Sequence, residues 1–314
     1  MKILTKNDYN QVRLWMYRNA RQLELTLWQY YFEHGSKEEV LSALSVYQNE
    51  DGGFGNALEP DNWNPESSPY TTQHALRILK DIEFFDKEHP IVQGIIRFFD
   101  SGVYCLDEGW FFNLPSNNNF AHAPWWTFNM EENATESVGL TAEIACLLLI
   151  YADKNSPLYQ KVMGFSRNIL DKLKERNQYG DMGLGGYCSL MEATKYTELG
   201  EFYDYSQLSE QIGLLVNDSI ERDITKWPFY TRRPSDYIHS PESIFYKENE
   251  QILNTELDYL IDTRHQDGVW DITWSWFDNN EKYSKEFAIS ENWWKAIKAI
   301  DKIKFLGSFK RIEG

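Results

Sequence analysis

A short turn phrase stands near both ends of this chain, and it limits the possible folds more than any other feature. Residues 48–55 read Gln48-Asn49-Glu50-Asp51-Gly52-Gly53-Phe54-Gly55, and residues 266–270 read Gln266-Asp267-Gly268-Val269-Trp270. Both carry Asp-Gly-x-aromatic with a Gln upstream, and both follow an amphipathic stretch. Looser relatives lie between them, at Asp107-Glu108-Gly109-Trp110 and Asp223-Ile224-Thr225-Lys226-Trp227-Pro228-Phe229. Gly supplies the positive φ of a tight turn, and Asp caps adjacent amides. The aromatic then folds over the end of the preceding helix, where the Gln bonds exposed backbone groups. Gln48, Asp51, Gln266 and Asp267 therefore read as structural, although a capping device can border a site. A turn that returns after helices predicts a ring or solenoid of helix pairs.

Apolar periodicity predicts one long helix over 8–33 and others near 37–47, 67–85, 89–100, 135–152, 157–176, 187–199, 203–220, 242–264 and 287–305, with almost no strand. The segment Ala142-Glu143-Ile144-Ala145-Cys146-Leu147-Leu148-Leu149-Ile150 is the most apolar and suits an inner position. Tyr187, Trp227 and Trp270 follow one another at close to a helix-pair period. The period is interrupted at 55–66 and at 113–134, and long loops inside a compact repeat tend to be functional.

The chain of 314 residues reads as one domain, 1–314, since a closed ring has a single core. Net charge is −17, which disfavours nonspecific nucleic-acid contact and attraction to anionic lipid. The opening residues Met1-Lys2-Ile3-Leu4 lead into no apolar stretch of signal-peptide length, and the sequence predicts no membrane span. Cys105, Cys146 and Cys188 are scattered and form no paired framework, so a reducing, cytoplasmic setting is expected.

Aromatic residues make up 16% of the chain, enough for both a core and an aromatic-lined cavity. Three loop clusters combine such residues with chemistry. In Glu59-Pro60-Asp61-Asn62-Trp63 two carboxylates stand two apart, suiting an acid and its electrostatic partner, or helix caps for the segment starting at Ser67. In His122-Ala123-Pro124-Trp125-Trp126 a donor or base stands beside two ring faces, or a loop plug closes the ring mouth. In Trp274-Ser275-Trp276 alternation puts both indoles on one face of an extended segment, as a ligand wall or as edge packing. The catalytic candidates are thus Glu59, Asp61 and His122, and the substrate-binding candidates Trp63, Trp125, Trp126, Trp274 and Trp276. Arg232-Arg233 reads as a surface pair. No zinc spacing, P-loop or dinucleotide fingerprint is present, so neither metal nor cofactor is expected.

Gln-x-x-Asp-Gly-Gly-Phe-Gly and Gln-Asp-Gly-x-Trp resemble the QW-type repeats of the terpenoid cyclase and protein prenyltransferase superfamily. The resemblance implies an all-α chain built as an α/α toroid of about five to six helical hairpins around a central cavity. It implies an enzyme acting on an apolar, isoprenoid-type molecule in an aromatic cavity, where ring faces stabilise carbocations. The superfamily's Asp-x-Asp-Asp acid motif and Asp-Asp-x-x-Asp magnesium motif are absent. Gly185-Gly186-Tyr187-Cys188 is similar to the zinc-binding Cys region of prenyltransferases, but Gly186 stands where the Asp belongs. Glu59 or Asp61 would then replace the acid motif. Two other readings stay open: a carbohydrate-active enzyme on a helical toroid, with Trp platforms and paired carboxylates, and a non-catalytic binding scaffold.

Overall fold

The computed structural model describes residues 1–174, 183–265 and 267–314, and among these the chain is predominantly helical. Gln266 lies outside the described residues. In chain order the α-helices are α1 (Lys6–Asn19), α2 (Gln22–Phe32), α3 (Lys37–Ser45), α4 (Pro69–Asp81), α5 (Pro90–Asp100), α6 (Met130–Tyr151), α7 (Pro157–Asp171), α8 (Gly183–Ala193), α9 (Tyr205–Ser219), α10 (Tyr246–Asp262), α11 (Asn279–Lys282) and α12 (Ser284–Ser308). The described strands are a two-residue pair, β1 (Cys105–Leu106) and β2 (Gly109–Trp110), antiparallel with Cys105 opposite Trp110. The all-α expectation holds.

Local chemistry sets most helix starts. Thr5 and Asp8 form a reciprocal capping box on α1. Ser68 accepts from the Thr71 amide at 3.0 Å and Pro69 fills the first turn of α4. Asn129 caps α6, which therefore begins several residues before its apolar run. The stretch expected as one helix over 8–33 is two. Ala20 and Arg21 are extended, with ψ of 144° and 164°. That break lets the Arg21 guanidinium bond the buried Glu24 at 2.6 Å and lie 4.8 Å from the centre of the half-buried Trp293 ring.

The chain forms two compact units, one of residues 1–43 and 213–314, the other of 44–212. In the second unit α6 packs against α4, α7 and α8. By length and composition alone α6 is long and apolar enough to cross a membrane, but 72% of that window is buried inside the fold. In the first unit α12 packs against α1, α2 and α11.

The turn phrases are tied down by the side chains that define them. Gln48 Nε2 donates to the Gly52 and Ile91 carbonyls at 2.9 and 3.0 Å. Asp51 accepts from the Gly53 amide at 2.9 Å and from the Ser67 hydroxyl at 2.7 Å. Gly52 has φ +93°, and a Cβ there would stand 2.1 Å from the Gly94 carbonyl oxygen, so only glycine fits. Phe54 is fully buried, and its amide bonds Thr72 Oγ1 at 2.9 Å on α4. In the other unit the buried Trp270 indole donates to the Leu260 carbonyl at 2.7 Å, in the last turn of α10. One aromatic thus bonds the start of the following helix and the other the end of the preceding one.

Candidate functional site

The two long loops of the 44–212 unit run side by side. Asn62 and His122 form an antiparallel bridge. The Trp63 amide donates to the Ala121 carbonyl and the Ala123 amide to the Asp61 carbonyl, each at 2.9 Å. The approach to this bridge is strained, since Asn56 and Ala57 both have positive φ, 56° and 57°. A left-handed alanine costs energy, and such residues cluster at sites where the backbone is held to a purpose.

The bridge joins the predicted residues of both loops into one layer. Glu59 and Asp61 are buried, 3% and 1% exposed, and Trp63 is half-buried. His122 is buried and held at both nitrogens. Its Nδ1 lies 2.8 Å from the Phe120 carbonyl, so that nitrogen carries the proton and donates. Its Nε2, 3.1 Å from Thr127 Oγ1, then accepts from the hydroxyl. Trp126 is packed inside, stacked on Phe112 at 5.2 Å and edge-on to Tyr70 at 4.4 Å. Its neighbour Trp125 is 38% exposed and offers a free indole face. Adjacent residues of one short 3-10 turn, Pro124–Trp126, thus differ in burial, Trp126 packed inside and Trp125 exposed.

Buried asparagines hold this layer together, and the sequence reading did not single them out. Asn117 Oδ1 accepts from Asn64 Nδ2 at 2.9 Å, and its Nδ2 donates to the Trp126 carbonyl at 3.1 Å. Asn133 Oδ1 accepts from the Phe112 and Asn113 amides at 2.7 and 2.9 Å. Asn113 Nδ2 donates to the Trp125 carbonyl at 2.9 Å. A buried amide both donates and accepts, so it can serve irregular backbone that no ladder satisfies. The signal was present as an Asn-rich loop composition; its geometry was not. A hollow of ≈ 310 Å³ in the same unit is lined by Gln160, Met163, Arg167, Glu198 and Phe202, away from these loops.

Trp274 and Trp276 belong to the other unit, and their surroundings differ. Trp276 is fully buried beside Phe287 at 5.7 Å, whereas Trp274 is half-buried and edge-on to Trp294 at 5.2 Å. Arg233 corrects the surface reading of the Arg pair. Its side chain is only 16% exposed and lies 3.9 Å from Glu256, which is fully buried on α10. Glu256 also accepts from the Ser235 amide at 2.8 Å and hydroxyl at 2.5 Å. Burial pushes its carboxyl up to about 7, against the pull of Arg233 and the Ser235 hydrogen bonds. The spacing Leu253-Glu256-Leu257-Leu260, a carboxylate inside the apolar register of a helix, was the sequence signal for it.

No described group of three or more His, Cys, Asp or Glu side chains is arranged to hold a metal ion. Cys188 sits on α8, and burial pushes its thiol up to about 12, away from the thiolate a metal needs. Comparison with protein-family models, with curated proteins and with solved structures gives no match.

Proposed function

We propose that this chain is an α/α toroid of the terpenoid cyclase and prenyltransferase-like type, an enzyme acting on a small apolar molecule of isoprenoid character. The layer formed by residues 55–66 and 113–129 is its working end. The observation that supports the reading is the Asn62–His122 bridge, which pairs the loop carrying the buried Glu59 and Asp61 with the loop carrying His122, Trp125 and Trp126. In this scheme one of Glu59 and Asp61 gives a proton to a carbon–carbon double bond and the other stabilises the charge that develops. The resulting cation is met by ring faces, of which Trp125 is the accessible one. Loss of a proton from a neighbouring carbon to the carboxylate restores both the acid and a double bond. His122 fixes the loop through its two hydrogen bonds, and it can receive a proton at Nε2 only when the Thr127 hydroxyl turns away.

A second reading, a carbohydrate-active enzyme, is favoured by Trp125 itself, an exposed indole on a layer rich in amides. One experiment separates the two. The purified chain and its Glu59→Gln and Asp61→Asn variants are incubated with C15 and C20 polyprenyl alcohols and diphosphates, and separately with linear oligosaccharides. Polyprenyl products made by the parent and lost in both variants, with melting temperature retained, support the first reading. Cleaved oligosaccharide with no polyprenyl turnover transfers the site to the second.

A further inference from the structure

The unit of residues 1–43 and 213–314 holds a separate group of reactive side chains on α12. Trp294, Lys298 and Lys302 follow at four-residue spacing and share one face of that helix. The Lys298 ammonium lies 5.6 Å from the Trp294 ring centre and 5.9 Å from that of Trp274. Lys302 Nζ lies 5.2 Å from the Trp270 ring centre, on an indole fixed by its bond to Leu260. Segment 230–233 runs along the same group, with Tyr230 edge-on to Trp274 at 6.4 Å and Arg233 acting electrostatically on Lys302.

Lys302 makes no hydrogen bond or ion pair with any described residue. The charged groups around it are the cations Arg233 and Lys298 and, with weaker effect, Asp301 and Glu256. Asp301 is shared with Lys298 at 3.8 Å, and Glu256 is engaged by Ser235 and Arg233. An ammonium held here would be a desolvated cation beside two others with no carboxylate in ion-pair range. Desolvation first, then Arg233 and Lys298, push Lys302 well below the ordinary lysine range. A neutral amine needs no counter-ion, which resolves the arrangement, and a neutral amine is a nucleophile. Two further buried donors, Trp294 Nε1 on the same helix face and Thr231 Oγ1 on segment 230–233, have no hydrogen-bond partner among the described residues.

We propose that Lys302 is a nucleophilic amine that forms an imine with a carbonyl compound bearing an anionic group, an aldehyde or 2-oxo acid held by Lys298 and Arg233 against the Trp270 and Trp294 faces. The Nζ lone pair forms a C–N bond to the carbonyl carbon as the carbonyl π pair moves to oxygen. Nitrogen releases two protons, the oxygen takes up two and leaves as water, and a C=N bond remains. No oxidant or reductant is required.

The test is reductive labelling of the full chain with glyoxylate and sodium cyanoborohydride at pH 7, followed by peptide mass mapping. Propionaldehyde serves as the uncharged control. Lys302 should be labelled roughly tenfold faster than the exposed Lys154 and Lys226, because far more of it is unprotonated. The excess should vanish above pH 10, where exposed lysines are also neutral, and glyoxylate should outrun propionaldehyde at Lys302 alone. A Lys302 rate equal to or below that of the exposed lysines overturns the proposal. Equal rates for the two aldehydes overturn its anionic part. The Lys302→Arg variant should lose the fast site, and the parent comparison decides the matter if that variant does not fold.

Discussion

Asn62 and His122 face each other across an antiparallel bridge, so two loops that no periodic signal relates lie side by side. Everything proposed for the layer depends on that pairing. Within the paired loops Glu59 and Asp61 are buried, the His122 ring is held by Phe120 and Thr127 of its own loop, and Trp125 is exposed. Irregular loops hold such a shape only where their backbone groups are satisfied, and buried asparagines supply those bonds.

Asn117→Ala should therefore cost more than a buried side chain of its size suggests. It leaves the buried Trp126 carbonyl without its Asn117 donor, at roughly 1–3 kcal/mol, and leaves Asn64 Nδ2 with Ser116 Oγ alone. Urea denaturation of the parent and variant measures this. A loss below about 0.5 kcal/mol would show that water replaces both bonds.

Gly52 and Gly102 make a controlled pair. Both have positive φ, +93° and +72°, but a Cβ at Gly52 meets the Gly94 carbonyl at 2.1 Å whereas nothing lies within 4 Å at Gly102. Gly102→Ala should cost about 1 kcal/mol from backbone strain alone. Gly52→Ala adds a clash with main chain and should cost on the order of 3 kcal/mol or more. Equal shifts in melting temperature would contradict the docking of the first turn phrase on α5.

The aromatic anchors of the two phrases should behave alike. Phe54→Ala and Trp270→Ala each empty a fully enclosed position and should destabilise by roughly 3–5 kcal/mol. Trp270→Phe, which keeps the ring but loses the bond to Leu260, should recover most of that. Unchanged unfolding in the alanine variants would remove both residues from the core.

How much of this was legible in the sequence depends on the kind of signal. The turn phrases announced themselves because Asp, Gly and an aromatic at fixed offsets have one geometric use, and Asp51 and Gly52 show it. The helix start at Ser68-Pro69 was legible from the Ser and the Pro in the first turn. The break at Ala20-Arg21 was not, because it carries no Gly or Pro and serves a tertiary contact of Arg21 with Trp293. Loop length marked 55–66 and 113–134 as worth attention, but pairing between them is long-range and leaves no local pattern. Trp125 and Trp126 look identical in sequence; only the packing of Phe112 and Tyr70 decides which one is buried. Lys302 was invisible for the same reason, since its isolation depends on residues far along the chain.

Glu256 makes a prediction about pH. Its folded-state pKa, about 7, stands above the ordinary carboxyl value of 4.5, so the folded chain binds this proton more tightly than the unfolded chain. The contribution is fully present below about pH 4.5 and is lost as pH rises towards 7. Glu256→Gln should flatten the fall of stability across that window, by up to about 3 kcal/mol between its ends. Denaturant midpoints collected from pH 4.5 to 7.5 give the comparison. Parallel curves for parent and variant would mean that Glu256 titrates as an ordinary carboxyl.

Hydrogen–deuterium exchange with and without a polyprenyl diphosphate or an oligosaccharide reports whether the paired loops bind the small molecule. Whichever probe binds, exchange should slow in 55–66 and in 113–129 together, because the Asn62–His122 bridge makes them one layer. The Trp125→Ala variant should weaken both effects equally. Protection confined to segments elsewhere, with both loops unchanged at saturating probe, would contradict that binding.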